Sequence, residues 1–163
     1  MADTALAHKN KKKPDTKASL KRKLRVILHK YIRLRDAYFE DGEWWVNCVT
    51  CGERIPYKAS TAGHFFPAGT YPAVRFAEWN INGQCIRCNK YQHGALILYT
   101  IEMIKRYSIK GLDHFYGIAT GGYQDFTMAE LRDLIDEYKE KLNSLVKSKA
   151  FSGEDGRKCE PKV

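Results

Sequence analysis

The sequence predicts an α+β fold in which a small body of short strands, braced by zinc, sits between an N-terminal helix and C-terminal helices. Three observations carry that reading. Cys48-x-x-Cys51 and Cys85-x-x-Cys88 supply four thiolates, the ligand set of a closed tetrahedral zinc site. Helical spacing of apolar residues appears on both sides of them, and the segment entering the first pair, Trp44-Trp45-Val46, is strand-like. A chain of 163 residues fits one domain, expected over residues 19–147, with a flexible basic arm at 1–18 and a polar tail at 148–163.

The arm is polar, is interrupted by Pro14 and holds Lys11, Lys12 and Lys13, so it lacks the apolar surface needed to order itself. Through Arg25 the chain carries nine Lys or Arg against Asp3 and Asp15, so most of its net charge of +9 lies at this end. Such a concentration attracts polyanions, DNA above all. From Ser19 a helix is expected, with Leu20, Leu24, Ile27, Leu28, Tyr31 and Leu34 on the packed face and Lys21, Arg22 and Arg25 among the cations free to meet phosphates. The turn signal Asp41-Gly42 sets its end near Tyr38.

Cys48-Val-Thr-Cys51-Gly52 reads as a knuckle whose glycine permits a tight turn, and residues 54–57 as the returning strand. Residues 58–72, rich in Ala, Gly, Ser and Thr, read as a loop holding His64, with the apolar stretch 74–79 packed beneath. The second cysteine pair is expected to open a helix that continues through Leu98, Ile101, Met103, Ile104 and Tyr107. Four glycines make residues 110–125 an expected irregular stretch. Thr127-x-x-Glu130 is a capping box, with Phe126 placed to staple onto Leu131. The helix it starts presents Leu131, Leu134, Ile135, Tyr138, Leu142 and Leu145, a face for closing the core or for a dimer contact.

No apolar run follows the basic N-terminus, so the expectation is a cytoplasmic protein with no membrane partner. Four of the five cysteines fall in CxxC pairs, which reads as metal binding in place of a disulfide framework; Cys159 lies apart in the tail.

The 33 residues between the cysteine pairs leave room for a second site. His64 is the one histidine between them. Hydrolysis of a phosphodiester needs an activated water, neutralised phosphate charge and a stabilised leaving oxygen, which a histidine base and one divalent metal can supply. Asn89 and His93, four residues apart, would share a helix face and could hold that Mg²⁺ or Mn²⁺, although Asn89 is also placed to cap the helix after Cys88. Asn80 could hold His64 in its productive tautomer, and Asn82 could do so instead.

Together, His64, Asn80 and Asn89 interleaved with the two cysteine pairs resemble an HNH endonuclease motif of the His-Asn-Asn type. More narrowly, Tyr31-Ile-Arg-Leu-Arg-Asp36, Cys48-Val-Thr-Cys51-Gly52, Ala62-Gly-His64, Arg75-Phe76, Asn80 and Gln84-Cys-x-x-Cys-Asn89 resemble the phage NinG family, also called Rap. That resemblance covers roughly residues 20–107. It implies a ββα-metal (HNH) core braced by structural zinc and a role in phage recombination, cutting branched DNA such as Holliday junctions or D-loops in the host cytoplasm. By position it makes His64 the general base, Asn80 its orienting partner and Asn89 a ligand of the catalytic metal. Many HNH enzymes place Asp or His just before the base as a further ligand, whereas this chain has Gly63. His93, an acidic residue such as Glu78, or water would have to replace it.

The rival reading is a non-catalytic zinc module that binds DNA or bridges recombination proteins. It has no use for His64, Asn80, Asn89 and His93. A zinc deaminase fits poorly, because His64 is followed by Phe65-Phe66 where such a site needs His-x-Glu. Symmetric cutting of a junction requires two active sites, which makes a homodimer attractive.

Overall fold

The structure, a computed structural model, describes residues 14–123 and 125–150. The Lys11, Lys12 and Lys13 part of the basic arm and the tail beyond residue 150 lie outside the described residues. Helix α1 (Lys17–Arg35) begins two residues earlier than its apolar pattern implies, because Thr16 caps it. The Thr16 side chain accepts from the Ser19 amide and the Ser19 hydroxyl bonds back to Thr16, a reciprocal box that satisfies otherwise unpaired groups. It also ends earlier than expected. Residues past Asp36 leave for strand β1 (Ala37–Glu40), which pairs antiparallel with β2 (Glu43–Asn47) through Asp41 and Gly42. Both turn residues have positive φ, 53° and 80°, so the turn signal joins two strands here and does not end a helix. Strand β3 (Arg54–Pro56) returns beside β2.

A second, two-stranded antiparallel sheet pairs β4 (Thr61–His64) with β5 (Ile81–Gln84). The expected loop over residues 58–72 is thus corrected at its centre, and His64 ends a strand. Ala62 lies opposite Gly83 and His64 opposite Ile81. Segment 65–80 returns the chain through two 3-10 turns, Pro72–Val74 and Glu78–Asn80.

After the second cysteine pair the chain makes a π-helical turn, Arg87–Tyr91, then breaks at His93 and Ala95, both left-handed with φ 49°. Only then does α2 (Leu96–Thr120) begin. It runs through most of the stretch expected to be irregular, kinking once at Ser108 (φ 62°, ψ 169°). Glycine frequency misleads there, because Leu112, Phe115 and Ala119 pack beside Phe65, Phe66 and Tyr99 and hold the second half helical. Helix α3 (Met128–Ala150) starts at the capping box, where the Glu130 carboxylate accepts from the Thr127 amide at 2.7 Å.

The core has three parts. Leu20, Leu24, Leu28 and Ile32 of α1 meet Leu131, Ile135 and Tyr138 of α3 over Ala62, Phe76 and Ile81. Burying each large aliphatic side chain contributes about 1.5–3 kcal/mol. Of the two uses expected for the apolar face of α3, closing the core is the one these contacts serve. A second cluster gathers the cysteines with Val46, Ile55 and Tyr57, and a third lies under α2. Among the described residues no helix is long and apolar enough to cross a membrane.

Candidate functional site

Cys48 and Cys51 follow β2, and Cys85 and Cys88 follow β5, so the four thiols join the two sheets. Gly52, at φ 72°, lets the knuckle close with its amide on the Cys48 carbonyl at 2.8 Å. The four sulfurs lie within 4.8 Å of one another, and Cys51 Sγ is 3.9 Å from Cys85 Sγ. Tetrahedral zinc with bonds of about 2.3 Å sets sulfurs about 3.8 Å apart, so the cluster fits the ion. Burial works against the Cys48 thiolate, but amides of Cys51, Cys85 and Thr50 with the Thr50 hydroxyl bring it down to about 6. Burial pushes Cys85 up to about 12. Four thiols so crowded cannot all ionise alone, and a dication removes that conflict. Among the described residues this is the one group of three or more His, Cys, Asp or Glu able to share an ion.

His64 stands on the other side of the molecule's second sheet. Alternation along β4 sends Ala62 and His64 toward α1 and sends Thr61 and Gly63 toward the π-helical turn. His64 meets His29 of α1 with ring centroids 5.6 Å apart. With Lys21, Arg22, Arg25 and Arg75 it lines a cleft of about 410 Å³, closed by Ala68, Gly69 and Phe76. The structure thereby brings the candidate base together with the three described cations assigned to DNA. Lys21 also pairs with Asp125 at 2.5 Å.

The Arg75 carbonyl can only accept, so the 3.0 Å contact from His64 Nε2 puts the hydrogen on that nitrogen. Nδ1 then carries the free lone pair. Burial lowers His64 below its ordinary 6.5, and the Arg75 and Arg25 cations add to this against the carbonyl bond. His29 is driven down to about 4, first by burial and then by His64, Arg25 and Arg33. Both shifts favour the neutral imidazole.

Neither asparagine candidate bonds to the His64 ring. Asn80 is fully buried, and its amide accepts from Phe66 N at 2.7 Å while donating to Phe66 O and Val74 O at 3.0 Å. It fixes the segment between His64 and Arg75, so its expected direct contact with the base is replaced by a backbone one. Asn82 donates to Tyr99, whose hydroxyl donates to Gly63 O, and its carbonyl takes hydrogen bonds from Arg35 and Arg106.

Asn89 sits on the Gly63 side of β4, its Nδ2 donating to Thr61 Oγ1 at 3.0 Å. The shared helix face with His93 is not formed. The helical turn stops at Tyr91, and His93 occupies an exposed left-handed position beyond it. Glu78 is engaged by Lys141 at 2.8 Å and Tyr138 at 3.2 Å. Sequence reasoning missed His29, Arg75 as the acceptor for His64, and Gln84. His29 was findable, since it follows Arg22 and Arg25 along one face of α1 at helical spacing.

Two small sheets between helices, carrying a four-thiol cluster able to hold a metal ion and a basic cleft around a histidine, define an α+β protein with a candidate metal centre. The family model described as "Bacteriophage Lambda NinG protein" matches residues 2–148, and the chain belongs to that family. It is 28% identical over 115 residues to "Protein ninG" of Escherichia phage lambda, covering 71% of this chain and 55% of that one. The same identity and length hold for "Protein ninG" of Escherichia phage 933W, with 56% of that protein covered, and of Salmonella phage P22, with 55%. The chain thus spans about half the length of these curated relatives. No solved structure matches it significantly.

Proposed function

We propose that this NinG-family protein is a metal-dependent, structure-selective DNA endonuclease of the HNH type, cutting branched intermediates of phage recombination such as Holliday junctions or D-loops. The observation that carries the reading is the placing of His64, its Nε2 held by the Arg75 carbonyl and its Nδ1 lone pair free, at the edge of a cleft lined by Lys21, Arg22, Arg25 and Arg75. In this mechanism the cations seat the phosphates and His64 Nδ1 takes the proton of the attacking water. The Arg75 carbonyl keeps the ring turned, and Asn80 holds that carbonyl's segment in place. When bound, Mg²⁺ or Mn²⁺ neutralises charge at the phosphate and at the leaving oxygen, with Asn89 Oδ1 offered to it from the opposite face of β4. A zinc held by Cys48, Cys51, Cys85 and Cys88 would be structural, since four thiolates would leave it no open position.

The deciding experiment incubates zinc-loaded protein with linear, flapped and four-way DNA, with and without Mg²⁺. Metal-dependent cleavage of branched DNA is expected. Tight binding without cleavage of any of these would favour a DNA-binding zinc module.

A further inference from the structure

The catalytic metal of this reading lacks a ligand at position 63, and the structure places another oxygen there. A Cβ built on Gly63 would fall 1.9 Å from Gln84 Oε1 and 3.3 Å from Asn89 Oδ1. Gln84 is fully buried, and its Oε1 has no hydrogen-bond partner. An orphaned buried amide oxygen is destabilising and calls for an explanation. The amide cannot simply turn over to relieve it. Its Nε2 donates to Gly94 O at 2.9 Å and to Thr50 Oγ1 at 3.3 Å. Asn89 is fixed in the same sense by its bond to Thr61, and its Oδ1 takes no hydrogen bond from the described residues. Two amide oxygens therefore converge beside Gly63, one residue from the base and on the face opposite it.

We propose that Gln84 supplies the ligand oxygen that residue 63 cannot, so that Gln84 Oε1 and Asn89 Oδ1 together hold one hard divalent cation on the Gly63 face of β4. This rests on the nuclease reading for its purpose, though not for its geometry. Carbonyl oxygens suit Mg²⁺ and Mn²⁺ and not a soft ion. Glu78 and His93, the alternatives that spacing along the chain suggests, are both placed elsewhere: Glu78 is engaged by Lys141 and His93 sits in an exposed turn. Two neutral oxygens bind such ions weakly, and water and phosphate oxygens would have to complete the shell from the side of half-buried Asn89, since Gln84 is sealed from solvent. Glycine at 63 is then required for room, since any side chain there would displace the Gln84 oxygen.

The test is uptake of Mn²⁺ alone by the zinc-loaded full chain, followed by electron paramagnetic resonance, with no DNA present. Gln84→Met, which keeps length and volume but removes the oxygen, is expected to weaken Mn²⁺ by at least about tenfold. Gln84→Glu, which keeps the shape and adds charge at the cost of the Nε2 bond to Gly94 O, is expected to tighten it by a similar factor. Zinc content and circular dichroism confirm the fold, and if Gln84→Met does not fold, Gln84→Glu decides. Unchanged affinity in a folded variant, or no Mn²⁺ uptake by the wild type at millimolar concentration, overturns the proposal. Gln84-dependent Mn²⁺ binding in a protein that cuts no DNA keeps the site and removes the nuclease. Cleavage by the wild type with unchanged Mn²⁺ binding in Gln84→Glu does the reverse.

Discussion

Asn80→Ala separates two roles that the sequence alone could not. If Asn80 held the His64 ring directly, its loss would leave the fold intact and affect only the chemistry. The structure instead gives its side chain three hydrogen bonds, to Phe66 N, Phe66 O and Val74 O, at a fully buried position. Each bond contributes about 1 kcal/mol net, and an orphaned buried backbone group costs about 1–3 kcal/mol. Alanine cannot answer any of the three, and water has little access, so the total destabilisation is roughly 3–5 kcal/mol. That is a large share of the roughly 5–15 kcal/mol typical of a whole domain. Urea unfolding of the zinc-loaded protein, followed by tryptophan fluorescence, measures it as a lowered midpoint at unchanged slope. A loss below about 1 kcal/mol, with cleavage abolished, would refute the scaffold role and return Asn80 to the base.

His64→Ala should keep zinc, fold and junction binding while the single-turnover cutting rate falls by roughly 10² to 10⁴, the usual worth of a general base; cutting at the wild-type rate removes it from the mechanism. Cys85→Ser should lose zinc and unfold the joined sheets, because metal-binding energy here is also folding energy, and elemental analysis finding no zinc in folded wild type would contradict this. Replacing both Arg22 and Arg25 by Ala should flatten the slope of log affinity against log salt on duplex DNA by roughly 1.8, and an unchanged slope places the DNA elsewhere. His29 binds its proton in the unfolded chain near pH 6.5 but in the folded one only near 4, so its contribution to stability is full above 6.5 and is lost as pH drops through that window, by roughly 3–3.5 kcal/mol with His64 adding in the same direction, and the loss is smaller in His29→Phe.

The long elements were legible because their patterns repeat. Leu20, Leu24 and Leu28 on α1, and Leu131 and Ile135 on α3, are read by spacing and are buried. The cysteine pairs were legible because ligand chemistry allows few alternatives. Strand β4 was not, since Thr-Ala-Gly-His has one β-branched residue and no aromatic, and its place is set by pairing with β5 and by α1 packed over Ala62. The second half of α2 was hidden for a related reason. Glycines lower helix propensity by about 1 kcal/mol each, and the tertiary contacts of Leu112 and Phe115 override that.

What linear spacing could not convey is the side of a strand on which each candidate falls. Placing Asn89 and His93 on one helix face assumes an unbroken helix after Cys88, and the left-handed residues at 93 and 95 end that assumption. Once β4 is recognised as a strand, alternation alone separates His64 from Gly63, and with it the proposed base from the oxygens of Gln84 and Asn89. The one-residue offset matters more than the distance along the chain. A slip of β4 by one residue against β5 would exchange the two faces, burying the histidine under the π-helical turn and turning the glycine toward the basic cleft. Register is held against that slip by Ala62 beneath α1 and by Gln84 over Gly63, where no larger residue fits. Gly63→Ala should therefore perturb both faces together, lowering Mn²⁺ uptake and cutting rate in one variant, whereas His64→Ala touches only the second. Equal Mn²⁺ uptake by Gly63→Ala and wild type would show that the Gln84 oxygen does not depend on the room the glycine leaves.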